Sequence, residues 1–564
     1  MSESSSELTF GILAAGTIFP DWQAECLKKL RDLECTHLEL LIVDDGEPTY
    51  TETETIPNSS LPGVGETSRE GVYRTFWDWY RSSIDHPSCI SSVDLTKELA
   101  SIDHIRCQLE GSATSRSLTE EDIRTIEDYD LDFVLLFIPG SLEGEILHIP
   151  QYGVWSFCHG GEQDDRSDVP GFWEIYEGLT VTKASLNQIM GQDQRDRVLR
   201  EGYFSTNQFS YARNLDHVFY GTTEWPTQAA IDIVNKNDEY TDTSPVKTEI
   251  HNRSTPSPLH ILSYNLKRTY SLGTELFSGI DCWNVGVLET SIEECVNGPV
   301  DPEINWCPQP REDGYIADPF PITIDGTTYI FVEDFSYPDW KGKISYLEYP
   351  NGFERGALQT AHEEPFHMSY PYIFKHEGDV YATPEVHESE EIRLYQVIRP
   401  SEWEIKATLA RDVACIDPTV FEHKGRWWMF HTEKAYDNTK LYLRYAETLT
   451  GDWRPHRNNP VKTDIRTARP GGTPFVKDEQ LYRPAQYSAG DYGKRIVINR
   501  VTELSPSQYA EEAVAELQPT TRYPYRDGMH TLSSRGTITL VDGKQKVRNK
   551  YALKQGMREL SAAF

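Results

Sequence analysis

One phrase recurs in the second half of this chain, and it leaves few folds open. DPFPITIDGTTYIFVE (318–333), YPYIFKHEGDVYATPE (370–385), DPTVFEHKGRWWMFHTE (417–433) and GTPFVKDEQLYRPAQ (472–486) share one plan. Each has a proline-bearing opening, an alternating strand, a polar turn and an aromatic strand that ends in an acidic or amide side chain. Pro319, Pro371, Pro418 and Pro474 recur at intervals of 52, 47 and 56 residues, which is the period of four-stranded propeller blades. WNVGV (283–287) opens one earlier unit. The spacing therefore predicts a five-bladed β-propeller over 263–564.

Repetition also predicts convergence. The opening residue and the end of the second strand of each unit are expected at one rim of the central channel, which brings Asp318, Glu333, Glu385, Asp417, Glu433 and Gln486 together. Paired carboxylates in a funnel suit glycosyl chemistry, one as acid and another as base or nucleophile. Arg469 and Arg483 add cationic donors able to clamp a phosphate or carboxylate of a glycan or nucleotide sugar, and His530 is a further candidate to face the channel. The plainer alternative is that these acids cap turns and pair with the same arginines.

The first half has a different grammar. LTFGILAAG (8–16), HLELLIVDDG (37–46) and LDFVLLFIPG (131–140) are near-continuous apolar runs. PDWQAECLKKLRDL (20–33) and LTEEDIRTIEDY (118–129) carry the 3.6-residue period of covering helices. Strand, helix, strand with apolar strands predicts a Rossmann-like parallel sheet covered on both faces. Ligands of such sheets bind at the carboxyl ends of the strands, here 14–17, 44–46, 139–142 and 156–161. AAGT holds one glycine and is no dinucleotide fingerprint. The polar stretch 51–70 reads as a surface insertion, and the aromatics of YRTFWDWYRS (73–82) as packing on the sheet or the lining of a lid. Residues 236–262, polar and proline-rich, read as a linker between domains at 1–235 and 263–564.

Composition narrows the function classes. Lys and Arg total 54 against 89 Asp and Glu, a net charge of −35. Such a field repels nucleic acid and anionic bilayers, and no local basic patch stands against it on this reading. Nine scattered cysteines without a Cys-x-x-Cys motif suggest neither a disulfide framework nor a zinc site. With no signal peptide and no apolar run of membrane length, a cytoplasmic, salt-adapted protein without membrane insertion is expected.

GYIADPFPITIDGTTYIFVE, SYPYIF with YATPE, DPTVF, ARPGG, LYRPAQ, YGKRIVINRVTEL and GMHTLSS with LVDG together resemble the propeller at the amino terminus of plant glucosamine inositolphosphorylceramide transferases. That propeller is related in fold to five-bladed arabinanase and invertase glycosidases. The resemblance spans roughly 280–545; no segment resembles the separate glycosyltransferase domain of the plant proteins, so transfer to ceramide does not follow. The first half resembles the formyltransferase amino-terminal domain, through LTEEDIRTIEDYDLDFVLLFIPGSLEGEILHIPQYGVWSFCHGGEQDDRSDVPGFWEIYEG. The family's loop reads Asn-x-His with a later Asp; Ser156, Phe157 and Cys158 stand at those positions, with His159 one place beyond. The resemblance implies 10-formyltetrahydrofolate as donor and a nucleotide-linked amino sugar as acceptor, with His159, Glu174 and Asp193 as candidate catalytic residues beside Ser156 and Cys158. Cys158 is also a candidate nucleophile, and no metal is expected. The alternatives are a propeller-based glycoside hydrolase or transglycosidase, and a non-catalytic glycan-binding scaffold for a partner glycosyltransferase.

Overall fold

A computed structural model of the chain describes residues 7–46, 73, 75–80, 86–112, 115–138, 140, 142–160, 169–191, 196–235, 255–275, 279–297, 303–308, 311–521 and 524–563. The chain divides into two compact units, Met1–Tyr270 and Ser271–Phe564.

The first unit is built on a seven-stranded mixed sheet. β1 (Leu8–Ala14), β2 (Thr36–Asp44), β3 (Asp103–Cys107), β4 (Phe133–Leu136) and β5 (Val154–His159) pair in parallel in the order β5-β4-β1-β2-β3. β6 (Val181–Gln188) and β7 (Arg197–Ser205) extend the β5 edge antiparallel. The apolar runs fill the sheet because both faces are covered: Phe10, Ile12, Leu13, Leu40, Leu41, Ile42, Phe133 and Leu135 are buried. Helix α1 (Asp21–Arg31) turns Trp22, Cys26, Leu27 and Leu30 inward, and α2 (Glu120–Glu127) starts where the Thr119 hydroxyl accepts the Asp122 N–H. Strand order reverses between β1 and β4, which opens a crevice at their carboxyl ends. The antiparallel β6 and β7 were not part of the expectation from sequence. Of the aromatics in 73–82, Trp77 packs on Phe172 and Tyr211, so it serves the core. The insertion 51–70, Asp193 and residues 236–254 lie outside the described residues. A helix, α3 (Pro258–Glu275), begins inside the stretch read as a linker.

The second unit is a five-bladed β-propeller whose blades are sheets of four strands in antiparallel succession, the fourth blade carrying a short fifth strand, Lys462–Thr463, beside its third. Blade II holds Gly314–Ile324, Thr327–Ser336, Lys341–Tyr349 and Gln359–His362. Blade III runs from Ser369 to Arg411, blade IV from Cys415 to Pro455 and blade V from Phe475 to Leu517. Blade I is shared between distant parts of the sequence: Ile280–Leu288 and Ile304–Trp306 supply its outer strands, Leu532–Arg535 and Ile538–Val547 its inner ones. The five repeats legible in sequence are thus five blades, with the first one closed by late strands.

The recurring proline has a structural cause. In blades II, III and IV the pairing register slips at the same place, between Ala317 and Phe320, Ser369 and Tyr372, and Ile416 and Thr419. Two residues of the inner strand face one on its partner at each slip, which is a β-bulge. Asp318, Tyr370 and Asp417 take positive φ there, at 50°, 43° and 50°, and the next residue is proline, which has no ladder N–H to lose at a bulge. The bulge re-aims the residue before the proline out of the sheet and toward the channel.

Candidate functional site

The bulged residues and the ends of the second strands converge, and the result is a buried charged cluster. Asp318 is 5% exposed and Asp417 1%. Asp318 accepts the Thr531 hydroxyl at 2.7 Å and the Tyr370 N–H at 3.2 Å. Asp417 Oδ2 accepts Arg469 Nε at 2.6 Å and Gln486 Nε2 at 2.8 Å. Glu385 meets His387 Nδ1 at 2.8 Å, and its other oxygen is 3.9 Å from Arg469. Glu333 Oε1 lies 3.7 Å from His367 Nε2. A Cβ at position 342 would stand 2.7 Å from that oxygen and 2.5 Å from the Met368 carbonyl, so Gly342 is what lets the carboxylate in.

One arginine serves too many acids, and the carboxylates titrate as a set. Burial, only partly offset by Arg469, pushes Asp417 up to about 8, with the charges of Glu385 and Asp318 adding. Burial also raises Asp318 and Glu333. Glu385 goes the other way: burial opposes its charge, but the His387 hydrogen bond and Arg469 outweigh it and hold the carboxyl at about 2. Neighbouring carboxyls set apart in this way are a proton donor and an ionised partner.

Blade I completes the cluster. Asp542 accepts the N–H groups of His530 and Thr531 on one oxygen, at 2.8 and 3.0 Å, and the Asp318 N–H on the other, at 3.3 Å. His530 stacks on Trp283 at 4.1 Å, with Tyr492 edge-on at 5.3 Å. Burial disfavours its imidazolium, but Asp542 and Asp318 outweigh burial and raise its pKa. Asp318, His530 and Asp542 bring one ligand-type atom each within 4.8 Å of one another, the one such set among the described residues that could hold a cation. Tyr492 also lies under the Arg469 guanidinium at 5.1 Å.

Tyr370 closes the channel beneath these groups. Its side chain is fully buried, and its hydroxyl reaches Thr419 of blade IV at 2.9 Å and the Gly472 N–H, ahead of blade V, at 2.9 Å. Where blades II and IV present an aspartate, blade III presents a plug.

Several sequence expectations need correction. Arg483 is no channel cation: it forms a bidentate pair with Glu511 inside blade V, at 2.9 and 2.6 Å, and donates to the carbonyls of Thr467 and Ala468. Glu433 is only half-buried, and its charge neighbours are Arg444 and Lys440 of its own blade. Asp542, Tyr492, His367 and His387 belong to the site and were not singled out. The pairing of second-strand ends with bulge residues was the signal for Asp542, but its strand lacks the proline phrase.

In the first unit, β5 carries Ser156, Cys158 and His159. Ser156 is buried in the sheet between Leu136 and Asn187, and Cys158 Sγ contacts the Gly160 carbonyl at 3.5 Å. His159 is stacked on Phe219 at 3.9 Å, with Trp22 edge-on, and meets the Thr222 hydroxyl at 2.9 Å. Burial lowers its pKa to about 3, so it is a poor proton acceptor, against the role expected for it. Glu174 is buried with a carboxylate oxygen against Gly160, close enough to stand 3.0 Å from a Cβ there.

These features define the second unit as a five-bladed propeller with an acid-rich, plugged channel. Residues 284–525 match the family model described as Glucosamine inositolphosphorylceramide transferase 1, N-terminal, which bears out the resemblance read from the propeller phrases. The chain is 31% identical over 231 residues to glucosamine inositolphosphorylceramide transferase 1 of Oryza sativa subsp. indica, covering 38% of this chain and 30% of that protein. Over 211 residues it is 31% identical to the Arabidopsis thaliana protein of the same name, covering 36% of this chain and 27% of that one. The chain spans less than a third of the length of these relatives. Among solved structures, Zg3597, a family 117 glycoside hydrolase of Zobellia galactanivorans, is similar at TM-score 0.30 and 14% identity, over 48% of this chain and 91% of its own. The catalytic domain of a Coprinopsis cinerea GH62 α-L-arabinofuranosidase is similar at TM-score 0.32 and 12% identity, over 43% of this chain and 96% of its own.

Proposed function

We propose that this chain is a transferase of glycan or glycolipid biosynthesis whose propeller channel seats the sugar. The observation that carries this reading is the Glu385–Arg469–Asp417 arrangement: two carboxyl groups on either side of one guanidinium, beside the buried Tyr370. Acceptor and donor groups at that spacing match vicinal sugar hydroxyls. Support also comes from relatives named as glucosamine inositolphosphorylceramide transferases. The hydrolytic reading is weaker: Asp417 is engaged by Arg469 and Gln486, and Tyr370 stands where a third acid would.

The finer reading is N-formylation of a nucleotide-linked amino sugar by the first unit, with 10-formyltetrahydrofolate as donor in a cytoplasmic setting. Glu174, not His159, is then the proton acceptor, because its carboxylate stands over Gly160 at the end of β5. The test is titration of the full chain with glucosamine, N-acetylglucosamine and their nucleotide esters, followed by incubation with the formyl donor and mass spectrometry. Binding that Arg469→Ala weakens about tenfold or more supports the channel as the sugar seat; undiminished binding by that variant overturns it. A formyl adduct lost in Glu174→Gln supports the finer reading, and no adduct with any sugar removes it.

A further inference from the structure

Against the −35 net charge, one stretch of the second unit is reversed in sign. From Lys544 to Arg558 the chain holds six lysines and arginines and no acid, a local patch that the chain-wide average conceals. Lys544 is buried, but Lys546, Arg548, Lys550 and Arg558 are exposed. The last of them lies on helix α4 (Ala552–Ala563), whose Leu553 and Met557 are 55% and 54% exposed one turn apart. Lys554 and Arg558, the next residue in each case, lie over the ring of Trp340 at 5.4 and 4.5 Å. Among the described residues, Asp313 is paired with Arg311, Asp527 accepts the Lys546 N–H, Asp339 accepts the Ser336 hydroxyl, and Asp281 and Asp491 pair with the buried Lys544; Glu559 follows the stretch in sequence. These described acids are thus engaged, whereas Lys546, Arg548, Lys550 and Arg558 are exposed.

We infer that this surface docks on an anionic lipid–water interface. An apolar tip of Leu553 and Met557 beside long cationic side chains is the composition that lies in the headgroup layer, the aliphatic tips entering the acyl boundary and the cations reaching the phosphates. An acidic protein partner would need the cations but not the exposed leucine and methionine. The chain's distant acids do not cancel the attraction, because at physiological salt a charge beyond roughly 10 Å is screened. No helix among the described residues is long and apolar enough to cross a membrane. None of the exposed residues belongs to the channel cluster, so the inference does not rest on the proposed function.

Co-sedimentation of the full chain with vesicles tests it. Vesicles of phosphatidylcholine with about one-third phosphatidylglycerol are expected to bind at least about tenfold more protein than pure phosphatidylcholine, with binding falling as salt rises. Arg548→Glu with Lys550→Glu, and separately Leu553→Ser with Met557→Ser, are each expected to reduce it about tenfold. The two pairs act through different physics, and the wild-type lipid and salt dependence needs no variant to fold. Equal partition into both vesicle types, no binding to either at low salt, or variants that pellet like the wild type overturn the inference. So does retention on heparin without any vesicle binding.

Discussion

Asp417 shows what a single shared cation does in a buried site. Its pKa is raised to about 8 while the unfolded chain titrates in the ordinary carboxylate range. The folded state thus binds the extra proton, and its contribution is present below that range and lost as pH rises through about 8. Thermal melting is expected to show stability declining from about pH 4 to about pH 8 and levelling off above it, and Asp417→Asn is expected to flatten that decline. Arg483 gives the opposite lesson. It and Glu511 are almost fully buried, and although Glu511 keeps Lys462 and the Tyr509 hydroxyl, Arg483→Ala removes a bidentate partner and leaves the Thr467 and Ala468 carbonyls unpaired, which is expected to cost about 1–3 kcal/mol in denaturant unfolding. Sequence could not separate the two arginines, because ARPGG and LYRPAQ are equally polar and equally near a proline. Whether a side chain crosses to Asp417 or to Glu511 depends on the partner strand. His159 was misjudged for a related reason, its cage coming from Trp22 and Phe219, far away along the chain.

At the scale of elements, the legible features were those whose cause is local. A bulge needs its proline next to the re-aimed residue, and a buried parallel strand needs its apolar residues in one run, so both left marks in the sequence. Contacts between elements left none. The hydroxyl of Tyr370 ties blade III to blade IV and to the turn into blade V; Tyr370→Phe leaves the Gly472 N–H unpaired and is expected to cost about 1–3 kcal/mol by thermal unfolding. Gly472 is tighter still. Its φ of 129° and a Cβ position 1.7 Å from the Leu532 carbonyl leave no room for a side chain. Gly472→Ala is therefore expected to prise the blade V turn from the innermost strand of blade I and to cost about 3 kcal/mol or more in the same measurement.

For the molecule as a whole, the charge of −35 repels itself, and added salt screens that repulsion. The midpoint of thermal unfolding is expected to rise as sodium chloride increases from about 0.1 to about 1 M, read by differential scanning fluorimetry; a flat response would mean that the acids are already locally compensated. The propeller has a second molecule-wide property in the split of blade I, where strands at 280–306 pair with strands at 532–547. Asp542 and His530 arrive with those late strands, while Asp318, Glu385 and Asp417 are made long before. On the ribosome, the emerging chain therefore holds most of its acids for the time needed to synthesise more than a hundred further residues with their blade I partners still missing. The cluster comes into being only when the ring closes, so on the proposed function an incompletely synthesised chain cannot engage sugar.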